Sequence, residues 1–88
     1  MTTTTTVQVT VRYFAAARAA AGNDEETIRL QPATTLAELV ASLSARGENL
    51  AKVLLRCSFL CNGVAVRDDT MVLSDAQTVD VLPPFAGG

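Results

Sequence analysis

One amphipathic helix set between alternating strands constrains this chain more than any other feature. Thr35-Leu36-Ala37-Glu38 fits a capping box, in which the Thr35 hydroxyl and the Glu38 carboxylate satisfy backbone donors of the first turn. Leu36, Leu39, Val40 and Leu43 follow at helical spacing and form a single apolar stripe. Such a stripe must be buried against another element, and the flanking segments read as strands. Val7, Val9, Val11 and Tyr13 alternate with Gln8, Thr10 and Arg12. Ile28 and Leu30 alternate with Thr27, Arg29 and Gln31 until Pro32 stops the run. Downstream, strands at 58–61 and 64–67 flank Asn62-Gly63, a pair that supplies the two positive φ angles of a type I′ hairpin turn. A last strand, 79–82, runs into Pro83-Pro84. The order predicts an α+β domain, with a mixed sheet of four to five strands packed on one main helix.

Smaller elements fill the gaps. The alanine-rich run 15–22 predicts one or two helical turns ending at Gly22, where glycine accepts a left-handed cap. Asn23-Asp24-Glu25-Glu26 reads as a turn, and Gly47 as the stop of the main helix. Leu50, Val53, Leu54 and Cys57 repeat the helical spacing, so a second short helix is expected over about 49–55. Asp68-Asp69-Thr70 reads as a polar turn followed by a brief apolar segment, Met71-Val72-Leu73. Phe59 and Leu60 must point to opposite faces of their strand, one into the core and one onto the open face.

Composition removes several classes of function. At 88 residues the chain makes one small domain whose core is only just sufficient, built on aliphatic side chains with one Tyr, three Phe and no Trp. Its net charge of −2 comes from scattered charges, without the basic stripe that tracks a nucleic-acid backbone. Arg12, Arg18, Arg29 and Arg67 read as solvated charges that are also candidates for pairing with acidic partner residues. Histidine is absent, which removes the usual general base, the usual zinc ligand and every Ser-His or Cys-His nucleophile. Cys57 and Cys61, four apart, would share a strand face at about 13 Å separation, too far for a disulfide. No second pair completes a metal site, and a persulfide relay is the competing reading of the two thiols. Both are expected to be packing residues in a reducing compartment. Met1 and the threonine tract behind it carry neither the charged nor the apolar region of a secretory signal, so a disordered start (1–6) on a cytoplasmic protein is expected.

Beyond Leu82 the chain reads Pro83-Pro84-Phe85-Ala86-Gly87-Gly88. Proline lacks the N–H that a ladder needs, so the sheet must end there. Six extended residues reach roughly 20 Å at about 3.3 Å each. The last two have no side chains, so a narrow channel admits them and brings the Gly88 carboxylate to a reactive centre. A disordered terminus is the plain alternative, but such ends are usually polar, and this one carries Phe85, an aromatic anchor for a partner groove. The prolines, Pro84 among them, reduce the entropy lost on docking. The expected division is a polar start, a folded unit over 7–82, and a flexible tail over 83–88.

This ending, preceded by Val81-Leu82, resembles the small subunits of molybdopterin synthase, members of the ubiquitin-like sulfur carriers that also include the thiamine-pathway carrier. Val11-Arg12-Tyr13-Phe14-Ala15 with Arg18 and Gly22, and Cys61-Asn62-Gly63, agree with the same family. Ser74-Asp75-Ala76-Gln77 departs from it, where an Asp-Gly-Asp-like turn is common. The resemblance implies a β-grasp (ubiquitin-like) fold and a non-catalytic, sulfur-donating role. An ATP-dependent activating enzyme would adenylate the Gly88 carboxylate, and a sulfur donor would displace AMP to leave a thiocarboxylate. That group is an anionic nucleophile at neutral pH without a base, which accounts for a chain lacking histidine. Sulfur would pass to a pterin precursor inside a large catalytic subunit, in a heterotetramer, with Gly87, Ala86, Phe85 and Pro84 lying along the channel. No bound cofactor is implied, since ATP belongs to the activating enzyme. Competing readings are a carrier for thiamine, cysteine or RNA thiolation, a ubiquitin-like modifier forming isopeptides on lysines, and a plain binding module indifferent to losing Gly88.

Overall fold

The computed structural model describes residues 6–84. The chain forms β1 (Val7–Tyr13), α1 (Ala15–Ala21), β2 (Glu25–Leu30), α2 (Leu36–Ser44), α3 (Glu48–Leu54), β3 (Ser58–Cys61), β4 (Val64–Ala65) and β5 (Gln77–Leu82). The strands make one mixed sheet in the order β2-β1-β5-β3-β4. β1 is parallel to β5 and antiparallel to β2, while β3 is antiparallel to both β5 and β4. The parallel pair β1 and β5 is thus central, with β2 on one side and the β3–β4 hairpin on the other, and α2 lies across one face. This is the β-grasp arrangement.

The alternation in β1 does what its period demands. Val7, Val9, Val11 and Tyr13 are all buried, as are Val79 and Val81 of the neighbouring β5. Leu36, Leu39 and Leu43 of the helical stripe meet them in the core, joined by Leu50 and Leu54 of α3, with Val40 half-buried at the margin. The capping box forms as the sequence requires: Glu38 N–H donates to the Thr35 hydroxyl at 3.2 Å, and Thr35 N–H to the Glu38 carboxylate at 2.9 Å. The remaining donors of that turn are met from afar. Leu36 N–H donates to the Met71 carbonyl and Ala37 N–H to the Asp69 carbonyl, so the loop before β5 serves as a second cap. Asn62 and Gly63 both adopt positive φ, as the I′ hairpin needs, and Gly22 takes the left-handed cap of α1.

Four boundaries differ from expectation, each for a local reason. β2 starts at Glu25 rather than after Glu26, because Glu26 continues the inward parity of Ile28 and Leu30 but presents a carboxylate there. That carboxylate accepts from the Tyr13 hydroxyl at 2.7 Å and from Arg46 at 2.6 Å, so a charge occupies a position where an apolar residue would have marked the strand. The main helix ends at Ser44, and Gly47 instead precedes α3 as its N-cap. β4 spans two residues rather than four. Val66 packs on the core and Asp68 closes a turn by accepting from the Thr70 N–H and hydroxyl, which carries the chain off the sheet towards the start of α2. Finally, β5 begins at Gln77, two residues early, pairing with Val9 of β1.

Candidate functional site

β5 is the middle strand of the sheet, and it is the strand that leads into Pro83. Its last ladder partner is Ser58, opposite Leu82, and its Val81 carbonyl accepts from Phe14 N–H at 3.2 Å. Pairing stops at Leu82, where the prolines remove the donors; Pro83 is half-buried and Pro84 exposed. The root of the tail is therefore held by the most constrained strand of the fold. Of the tail residues singled out from the sequence, Pro84 to Gly88, only Pro84 is among those described. Phe85, Ala86, Gly87 and Gly88 lie outside them, as does the threonine tract up to Thr5.

Register decides which side chains surround that root. Phe59 stands opposite Val81 and packs on the core, which places Leu60 on the open face, opposite Asp80. Leu60 is half-buried there rather than freely exposed. Leu82 shares its face and is a diagonal neighbour across the β3–β5 ladder. On the other side of β5, Arg12 stands opposite Asp80, with its Nε 3.4 Å from Asp80 Oδ1. The Arg12 guanidinium also lies over the Phe14 ring, 5.4 Å from its centroid. One row across the open face thus reads Glu25, Arg12, Asp80, Leu60, Ala65.

Asp80 is the polar centre of this row. Its Oδ1 is shielded from solvent and, although close to Arg12, makes no hydrogen bond within the described residues. The Arg12 guanidinium balances its charge without supplying a hydrogen bond to that oxygen. The sequence marks Arg12 as a solvated charge or a partner for acidic residues, and it does not single out Asp80 or Leu82 as neighbours of that charge. The strand parity of each was legible, but not that β5 inserts between β1 and β3 and brings all three together.

The cysteines have structural surroundings. Cys57 lies in the turn before β3, not on the strand, and its thiol donates to the Val53 carbonyl at 3.1 Å. Cys61 is buried opposite Val79. Burial pushes both thiols up, and Asp80 adds to the effect at Cys61, so neither is a ready thiolate. Arg18 pairs with Asp24 at 3.5 Å on the exposed side of α1. No helix among the described residues is long and apolar enough to cross a membrane.

Comparison with known proteins gives this geometry a family. The model of the ThiS family matches residues 11–88. The chain belongs to the ThiS family. It is 35% identical over 83 residues to the molybdopterin synthase sulfur carrier subunit of Chlamydomonas reinhardtii, covering 93% of this chain and 100% of that one. Among solved structures, a Pyrococcus furiosus protein with the provisional name molybdopterin converting factor subunit 1 superposes with a TM-score of 0.81 at 30% identity, covering 90% and 99% of the two chains. A complex of subunits 1 and 2 of the molybdopterin-converting factor from Helicobacter pylori contains a chain matching with a TM-score of 0.68 at 28% identity, covering 93% and 100%.

Proposed function

We propose that this chain is the sulfur carrier subunit of a molybdopterin synthase. The single observation that supports this most is the 35% identity to a carrier subunit of that name over 93% of this chain and all of the relative; the family model, which runs to Gly88, takes in the Pro-Pro-x-x-Gly-Gly ending. In this reading the Gly88 carboxylate attacks the α-phosphorus of ATP on an activating enzyme, releasing pyrophosphate and forming an acyl adenylate. Attack by sulfide at the carbonyl carbon expels AMP and leaves a thiocarboxylate. Its sulfur is then given to a pterin precursor in the large subunit, and hydrolysis returns the carboxylate.

The division of labour suits the residues present. With no histidine, this chain supplies a reach, a docking face and a nucleophile that is anionic at neutral pH. The open face around Leu60, Leu82 and Asp80 adjoins the tail's root, so docking it would fix the tail's direction. A tail of about 20 Å held by nothing else would search a large volume and lower its effective concentration at the target. Pairing with a large subunit, as in the Helicobacter pylori complex of subunits 1 and 2, follows from the same reading.

Intact-mass spectrometry of the chain incubated with activating enzyme, ATP and sulfide tests the proposal. The expected product is heavier by the difference between sulfur and oxygen at the C-terminus. Higher-mass conjugates through lysine, with no thiocarboxylate, would instead identify a modifier.

A further inference from the structure

We infer that the turn between α3 and β3, carrying Leu55 between Lys52 and Arg56, is a second docking surface, one that takes an acidic rim with an apolar recess on the large subunit receiving the tail. This rests on the proposed function and adds a contact on the helical side of the molecule, away from the open sheet face.

Three observations converge on it. Leu55 is 86% exposed, the greatest exposure of any large apolar residue among those described, while its neighbour Leu54 is buried. Lys52, Val53, Leu55 and Arg56 line a shallow depression of about 340 Å³. Arg12, Arg18 and Arg46 each have a carboxylate within salt-bridge distance, but Lys52 and Arg56, like Arg29 and Arg67, have none among the described residues. Two uncommitted cations therefore flank the exposed leucine of a chain whose net charge is −2. The helix dipole accounts for a cation in the last turn of α3, yet it leaves Leu55 unexplained.

Topology places this patch beside the tail. Only Leu55, Arg56 and Cys57 separate α3 from Ser58, and Ser58 pairs with Leu82, the last strand residue before the prolines. The turn is also rigid: Leu55, Arg56 and Cys57 N–H groups donate to the Ala51, Val53 and Leu54 carbonyls. A preformed surface loses little entropy on docking. Charge complementarity then selects the occupant, since an ammonium and a guanidinium around a leucine match carboxylates around an apolar hollow.

The test is the complex of the full chain with the large subunit, measured by calorimetry and association kinetics at low and high salt. Lys52→Glu/Arg56→Glu should weaken the complex about tenfold at low salt, chiefly by slowing association, and should flatten the salt dependence. Leu55→Ser should accelerate dissociation about tenfold. Both variants should melt with the parent chain, because all three side chains are exposed. Lys52 is the chain's single lysine, so its acetylation by an amine reagent, read by peptide mass spectrometry, should fall on complex formation. An unchanged affinity and salt slope with Lys52 still fully reactive in the complex would overturn the inference and leave the proposed function standing. An effect of Leu55→Ser without any effect of charge reversal would overturn the acidic partner chemistry. Failure of the unsubstituted chain to bind the large subunit at all would overturn both.

Discussion

Glu26→Ala should destabilise the fold by about 2 kcal/mol, far more than its place in a polar run of sequence suggests. Two donors converge on one oxygen: the Tyr13 hydroxyl at 2.7 Å and Arg46 Nη1 at 2.6 Å both reach Glu26 Oε2. Tyr13 is only 2% exposed, so truncation strands its hydroxyl at a cost of about 1–3 kcal/mol. The Arg46 side chain is 46% exposed, and solvent screening limits its share to under about 1 kcal/mol. For a domain of this size, about 2 kcal/mol lowers Tm by roughly 8–16 °C. Tyr13→Phe removes one donor but leaves the Arg46 pair, and should cost about 1 kcal/mol. The two substitutions should be less than additive together, because they share a bond. The pH dependence has a definite sign. Burial would raise the Glu26 carboxyl, but hydrogen bonds from Arg46 and Tyr13 and the Arg46 charge outweigh it and hold it below its ordinary value. A lowered folded-state value means the contribution is complete above the unfolded carboxyl's range, near about 4.3, and is lost as pH falls through the folded value. Thermal melts from neutral pH down to acid, on the parent and on Glu26→Ala, measure both effects. Parallel pH profiles for the two proteins, or a difference below about 0.5 kcal/mol at neutral pH, would refute the reasoning.

Other outcomes follow from the tail, the open face and the thiols. Deleting Gly87-Gly88 should abolish thiocarboxylate formation while leaving Tm unchanged, since pairing ends at Leu82; a large stability loss would make the tail structural. Leu60→Ser on the open face, and Phe85→Ala on the tail, should each weaken the complex with the large subunit by about tenfold, read by calorimetry. Cys57→Ser and Cys61→Ser should retain sulfur transfer, with the buried Cys61 position costing about 1–3 kcal/mol in urea melts; a stoichiometric persulfide on either, lost together with activity in the serine variant, would contradict that.

The sequence by itself determined whatever depends on neighbours within a few residues. Thr35 and Glu38 form their capping box because both partners lie within one helical turn, and Asn62-Gly63 makes its turn because the pair alone supplies two positive φ angles. The parity of β1 and the stripe of α2 named half of the buried core, since period and burial are coupled directly. The end of the sheet at Leu82 was legible for the same reason, as the prolines that follow lack the N–H a ladder needs. Tertiary structure alone decided the rest. That β5 lies between β1 and β3 brings Arg12, Asp80 and Leu60, residues far apart in sequence, into one row, and no local pattern encodes which strands pair. Glu26 read as a turn because its partners, Tyr13 and Arg46, come from β1 and the α2–α3 connection. β4 was shortened by the need to carry the chain back to the start of α2, where Asp69 and Met71 carbonyls complete a helix cap begun more than thirty residues earlier. Local chemistry fixed the elements, and long-range pairing, which depends on closing loops around a shared core, fixed the site.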